Sequence, residues 1–338
     1  MTDIPLAGPE NSPQAVSDEQ PLLILAADHR NSLESGLYGL TRPPDPAQAA
    51  RISADKLLIY QALLDAAEEL PETVQPGILI DEQYGAGVIE LAGRSGGAVD
   101  LSVPVEASGS EWFEFAYGGR WRRHAEFFPA DHAKVLVRDN PGFDADRRAQ
   151  QARDLAEVSS WAADAGRPLI LELLVPASDD DKRAVGDDTA RYDAARYDAE
   201  RRPGLTVEVI EYLQDRGVEP AIWKIEGLER HEDSVAVLAA AQRDGRSARC
   251  IVLGRHATHG QLDHWLAVAA PVPGFVGFAI GRSIWWDALH AHLRHGSTGK
   301  ETRRRITGQY LDFARYYLKA RGTPWRGSQS PARRRAPG

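Results

Sequence analysis

The chain has 338 residues, 43% of them hydrophobic and 26% charged, with a formal net charge of -9 and a mean hydropathy of -0.40. That composition suits a globular protein with one large core and argues against a fibrous, wholly disordered or general nucleic-acid-binding chain. No apolar run approaches the roughly 18 residues of a spanning helix, and Cys250 as the only cysteine excludes an internal disulfide and cysteine-based zinc sites.

In chain order, residues 1–20 are polar and Pro-rich and read as a tail without a basic-then-apolar leader, so no membrane partner and a cytoplasmic location are expected. One phrase then repeats: a short, β-branched apolar run ending in polar or Gly residues, followed by a helical pattern. The runs are LLILAADHR (22–30), GILIDEQYG (77–85), VDLSVPVE (99–106), AKVLVRDN (133–140), PLILELLVP (168–176), AIWKIEG (221–227), CIVLGR (250–255) and GFVGFAIGR (274–282). Helices are predicted over 46–70, 145–166 and 205–217, several marked by Pro or Gly at their ends. Eight such units over 21–320 predict an α/β fold, a single (β/α)8 TIM barrel. An open doubly wound sheet is the alternative, weakened in its dinucleotide form because no Gly-x-Gly-x-x-Gly follows the first run. The third unit is irregular, since 103–121 reads as a loop or hairpin. A charged insertion at 178–203 contains the duplication ARYDA-ARYDA, and residues 321–338 read as a basic tail.

Two of the six lysines fall inside predicted strands. Alternation along a strand puts Lys224 on one side with Ile222 and Glu226, Lys134 with Leu136 and Arg138, and Glu172 with Ile170 and Leu174. With those faces inward, two lysines and at least two carboxylates converge at one mouth. Schiff-base chemistry wants this set: a neutral amine to attack a ketone, a neighbouring cation to favour its neutral form, and a carboxylate to move protons. The structural reading is two buried ion pairs of Lys224 and Lys134 with Glu172 and Glu226. Asp28 and Asp81, ending the first two strands, are partners for a substrate hydroxyl or a lysine, or else caps of the following helices. Strands seven and eight end in Gly254-Arg255 and Gly281-Arg282, with Ser283 next, and barrels of this kind commonly hold a phosphate there. Arg30 joins Arg138 and Arg255 as a candidate for a second anionic group. A zinc site beginning at His256 and His259, with His29 as a third ligand, is the metal alternative. Trp285, Trp286, Tyr310, Phe313, Tyr316 and Tyr317 suit an oligomer interface or internal packing equally.

The blocks LAADHR, ILIDEQYGAG, PVEASGSEWFEFAYG, KVLVRDNP, LELLVPAS, WKIEGLER, CIVLGR and VPGFVGFAIGRSIWWD, spread from about 21 to 318, resemble the 2-deoxy-5-keto-D-gluconate 6-phosphate aldolase family of myo-inositol catabolism. In many bacteria that domain lies behind a sugar kinase related to 5-dehydro-2-deoxygluconokinase, which these residues do not include. More distantly, the motifs resemble class I tagatose-1,6-bisphosphate aldolases. The resemblance implies Lys224 as the Schiff-base lysine, Lys134 as its companion, Glu172 as the acid/base, Asp28 as an active-site carboxylate and Arg282 as a phosphate ligand. It implies cleavage to dihydroxyacetone phosphate and malonate semialdehyde without metal or organic cofactor. A different ketose or sulfonated sugar phosphate, or a sugar-phosphate binder without turnover, are the alternatives.

Overall fold

The computed structural model describes residues 20–185, 192–255 and 257–325. Most of the two expected tails, part of the charged insertion and His256 therefore lie outside the described residues. Eight parallel strands, β1 (Leu22–Ala26), β2 (Gln75–Leu79), β3 (Asp100–Pro104), β4 (His132–Arg138), β5 (Leu169–Leu174), β6 (Ile222–Glu226), β7 (Arg249–Leu253) and β8 (Phe275–Ile280), pair in sequence order. The sheet closes where Leu22 of β1 pairs with Gly277 of β8, so it is a (β/α)8 barrel and not an open doubly wound sheet. At Gly277 a Cβ would run into the carbonyl of Leu22, and only glycine lets the two strands meet.

Alternation, broken only by a register shift between β7 and β8, divides the apolar residues of the described strands into two cores. Leu22, Ile24, Ile170, Ile222, Ile251 and Val276 fill the barrel, while Leu23, Leu171, Leu173, Trp223 and Ile225 face the helices. Lys224, between Ile222 and Glu226, is thereby assigned to the inside. The helix Pro46–Ala67 starts with a reciprocal Asp45–Gln48 capping box and a proline in its first turn. The last helix, Gly299–Ala320, starts with the same device, made by Thr298 and Glu301. From it, the hydroxyls of Tyr310 and Tyr317 donate to the carbonyls of Leu23 and Phe275 at 2.7 and 2.8 Å. With Phe313 and Trp285 also buried, packing within the chain accounts for most of the aromatic set, while Tyr316 stays partly exposed.

The irregular third unit is a short hairpin. Beyond β3, Ala107 N–H donates to Glu114 and Ala116 N–H to Val105, at 2.8 and 2.9 Å, and Glu106 bridges Phe115 antiparallel before the helix Trp121–Phe127 begins. The charged insertion follows β5 and carries the helices Asp179–Val185 and Ala194–Glu200, the second anchored by Tyr197 Oη donating to the Val175 carbonyl at 2.8 Å. Among the described residues no helix is long and apolar enough to cross a membrane.

Candidate active site

At the C-terminal ends of the strands, Glu172 of β5 stands beside Leu136 of β4 on one side and Lys224 of β6 on the other. Its Oε2 lies 2.9 Å from Lys224 Nζ and 2.9 Å from Lys134 Nζ, so one carboxylate oxygen joins both ammonium groups. Lys134 Nζ also donates to Glu106 Oε1 at 2.7 Å and to Asp28 Oδ2 at 2.9 Å. Lys134 thus has three carboxylates as ion-pair partners, whereas Lys224 has Glu172 alone among the described residues. Both lysines are buried, Lys134 at 1% and Lys224 at 4% exposure.

The charges sort the carboxyl groups by proton affinity. Burial disfavours the Lys134 ammonium, but Asp28, Glu106 and Glu172 outweigh it and hold its pKa well above the ordinary lysine value. Burial alone would raise Asp28 and Glu172; Lys134 foremost, helped by His29 at Asp28 and by Lys224 at both, turns the balance and keeps both below the usual carboxylate range. At Glu106 burial prevails over Lys134 and Arg30, and its pKa is raised. Burial, aided by Arg282 and Lys224, pushes the His29 imidazole down to about 3 despite Asp28, so it is neutral, edge-on to Trp285 with 5.4 Å between centroids.

These groups line a cavity of about 460 Å³, of the size of a small-ligand site. Arg138, Gly254, Arg255, Gly281 and Arg282 line it too, as do Ser108, Ser110 and Trp112 of the hairpin. Arg282 opens the helix Arg282–Arg294 and has neither an ion pair nor a hydrogen bond among the described residues; burial lowers the pKa of its guanidinium, with Glu172 and Asp28 opposing. A cation so placed, at a helix N-terminus, favours an anion. Arg255 is differently engaged, its Nε 2.9 Å from Glu226 and its Nη1 3.1 Å from Asp198 of the insertion. Arg138 donates to the Ser110 carbonyl at 3.2 Å and Arg30 to the Glu106 carbonyl at 2.9 Å.

Three sequence candidates do not line the cavity. Asp81 caps the helix Glu82–Gly93, accepting from Tyr84 N–H at 2.9 Å, and pairs with buried Lys56. Glu226 accepts from Val175 N–H at 2.8 Å and pairs with Arg255, so it forms no pair with Lys224. The Ser283 hydroxyl lies 3.5 Å from the Ala257 carbonyl. Gly281 has a packing reason of its own, since a Cβ there would meet the Ala26 carbonyl. His259 stacks on Phe313 at 4.4 Å, and among the described residues no group of His, Cys, Asp or Glu is arranged to hold a metal.

A family model described as "Uncharacterized protein conserved in bacteria (DUF2090)" matches residues 10–321. The chain belongs to that family. No curated protein matches it in sequence. Among solved structures, this DUF2090 chain is similar to an archaeal fructose-1,6-bisphosphate aldolase described with its catalytic Lys covalently bound to the carbinolamine intermediate of the substrate. The identity is 16% over 89% of this chain and 94% of that one, with a TM-score of 0.52. A Corynebacterium glutamicum protein gives 18% identity, 86% coverage of each chain and a TM-score of 0.53. A fructose-bisphosphate aldolase from Slackia heliotrinireducens gives 12% identity over 85% of this chain and 86% of that one, with a TM-score of 0.51. At such identities the likeness speaks for the fold.

Around the DUF2090 site, sequence reasoning passed over Glu106 and Lys56 and weighed His29 only as a zinc ligand. Glu106 had a signal: it follows the apolar run of the third strand as Asp28 and Asp81 follow theirs. The irregular hairpin obscured it. Lys56 carried no signal, because a lysine in a long amphipathic helix looks solvated until β1 is known to pack against it.

Proposed function

We propose that the protein is a class I aldolase in which Lys224 forms a Schiff base with a ketose-type sugar phosphate. The observation that carries this reading is the single Glu172 oxygen placed 2.9 Å from both buried lysines at a cavity also lined by Arg282, which has no ion pair among the described residues. Lys134, paired with three carboxylates, stays a fixed cation beside the reacting lysine. Lys224 as the amine adds to the ketone and, with loss of water, becomes the iminium. Glu172 then takes the proton of the hydroxyl across the scissile C–C bond; that bond's electrons flow to the iminium, leaving a neutral enamine and releasing an aldehyde. Glu172 returns the proton to the enamine carbon, and water hydrolyses the second iminium. Arg282 and the start of its helix hold the phosphate, and Gly254 lets that group approach the backbone.

The sequence resemblance favours 2-deoxy-5-keto-D-gluconate 6-phosphate as substrate, giving dihydroxyacetone phosphate and malonate semialdehyde. Cleavage of that compound should be measured beside fructose and tagatose 1,6-bisphosphates and a sulfonated sugar phosphate, each followed by release of the triose product. Preference for the keto-gluconate is the expected result. Binding of the panel with cleavage of none would replace an enzyme by a sugar-phosphate binder.

A further inference from the structure

Three carboxyl groups converge on Lys134, and they are not equivalent. Glu172 and Asp28 accept from cations through the oxygens that face the lysines. Glu106, only 6% exposed, accepts from Lys134 through its Oε1 at 2.7 Å, while its Oε2 is buried with no hydrogen-bond partner among the described residues. An ionised carboxylate with one oxygen desolvated and unpaired is costly, and a proton on that group relieves the cost. Lys134 from β4 and Arg30 from the segment after β1 face Glu106 with positive charge, and Asp28 faces it with negative charge. Their balance, with burial, moves Glu106 towards its protonated form, opposite to its two neighbours. A pair of carboxyl groups driven apart in this way divides the acid and base roles of a site.

Iminium formation creates the need for such a group. When the Lys224 amine has added to a ketone, the carbinolamine oxygen must leave as water, and the nitrogen, keeping one proton, becomes a cationic iminium. We propose that Glu106 is a catalytic acid of this site, giving its proton to the departing carbinolamine oxygen and regaining one when the second iminium is hydrolysed. Amine, ketone and Glu106 carboxyl become iminium, water and Glu106 carboxylate. The charge of the buried cluster is the same before and after, with no ion added to a low-dielectric interior. Glu172 keeps the separate task of moving the hydroxyl proton to the enamine carbon. Glu106 also sits at the root of the hairpin that brings Ser108, Ser110 and Trp112 to the cavity, so the acid and this wall of the site come from one segment.

This inference rests on the Schiff-base reading, and the test separates the two. Wild type, Glu106→Gln and Glu106→Asp are mixed with dihydroxyacetone phosphate and quenched with borohydride at intervals across a pH series, and the reduced adduct is quantified by intact mass. In wild type the rate of adduct formation should fall as pH rises through the Glu106 pKa. Glu106→Gln should lower the rate by about a hundredfold and remove that fall, and Glu106→Asp should restore the limb at a shifted pH. Equal rates and an unchanged profile in Glu106→Gln would overturn the role of Glu106 and leave Lys224 standing. Absence of any adduct in wild type would overturn the Schiff-base reading itself. Should both variants fail to fold, infrared difference spectra of wild type on adding dihydroxyacetone phosphate decide it. Loss of a protonated carboxyl with gain of a carboxylate is expected, and no such exchange contradicts the proposal.

Discussion

Lys134 and Lys224 are both buried lysines on barrel strands, yet their surroundings give them different tasks. Removing Lys134 strands Asp28, Glu106 and Glu172 together without their common cation. Lys134→Met should therefore cost about 3–5 kcal/mol of stability at neutral pH. Lys224→Met leaves Glu172 with Lys134 and substitutes a chain of similar volume, so its cost should be about 1 kcal/mol. Urea unfolding of the two variants measures the gap, and equal losses would contradict the division of roles. The Lys134→Met deficit also has a sign in pH. Asp28 and Glu172 have folded-state pKa values below the unfolded ones, so the stability they confer through Lys134 is present above about pH 4 and is lost as pH falls through the folded values. The deficit should shrink on acidification below that point. Lys134 itself, with a raised pKa, loses its contribution only as pH rises beyond the ordinary lysine range.

At the scale of elements, the end of β1 is held from behind. Lys56 of the helix Pro46–Ala67 donates to the carbonyls of Ala27 and His29, both at 2.9 Å, and pairs with Asp81. Asp28 lies between those carbonyls, so a buried lysine outside the cavity fixes the backbone that presents a carboxylate to it. Burial lowers the Lys56 pKa, opposed by Asp81. Asp81→Asn keeps a residue equally able to cap the helix Glu82–Gly93 but leaves the Lys56 charge unpaired, and should cost about 3 kcal/mol. Asp81→Ala loses the cap as well, adding about 1 kcal/mol. Thermal unfolding of both separates the ion pair from the cap. By local pattern Asp28 and Asp81 are both aspartates at strand ends, and only the family resemblance singled out Asp28 as an active-site carboxylate. What divides them is the lysine that each one meets, Lys134 of β4 for Asp28 and Lys56 of the helix Pro46–Ala67 for Asp81, which is a property of packing and not of local pattern.

For the whole molecule, the barrel was legible because its two periodicities are strong. Strand residues alternate between an inner and an outer core, and the same alternation, readable in the sequence, puts Lys134, Glu172 and Lys224 on one interior face. The convergence of Arg138, Gly254, Arg255, Gly281 and Arg282 on the same cavity followed from strand ends. Less was legible where side chains choose partners across elements. Arg255 is turned to Glu226 and Asp198 by the charged insertion, whose helix Ala194–Glu200 supplies Asp198. Glu106 was hidden by a hairpin that breaks the strand-helix rhythm. The proposed chemistry of the whole molecule turns on one atom, the Nζ of Lys224. Incubation with dihydroxyacetone phosphate, reduction with borohydride and peptide mapping by mass test it most directly. One reduced adduct is expected, on Lys224 and absent in Lys224→Met; an adduct on Lys134, or none on a protein that still binds the phosphate, would overturn the assignment.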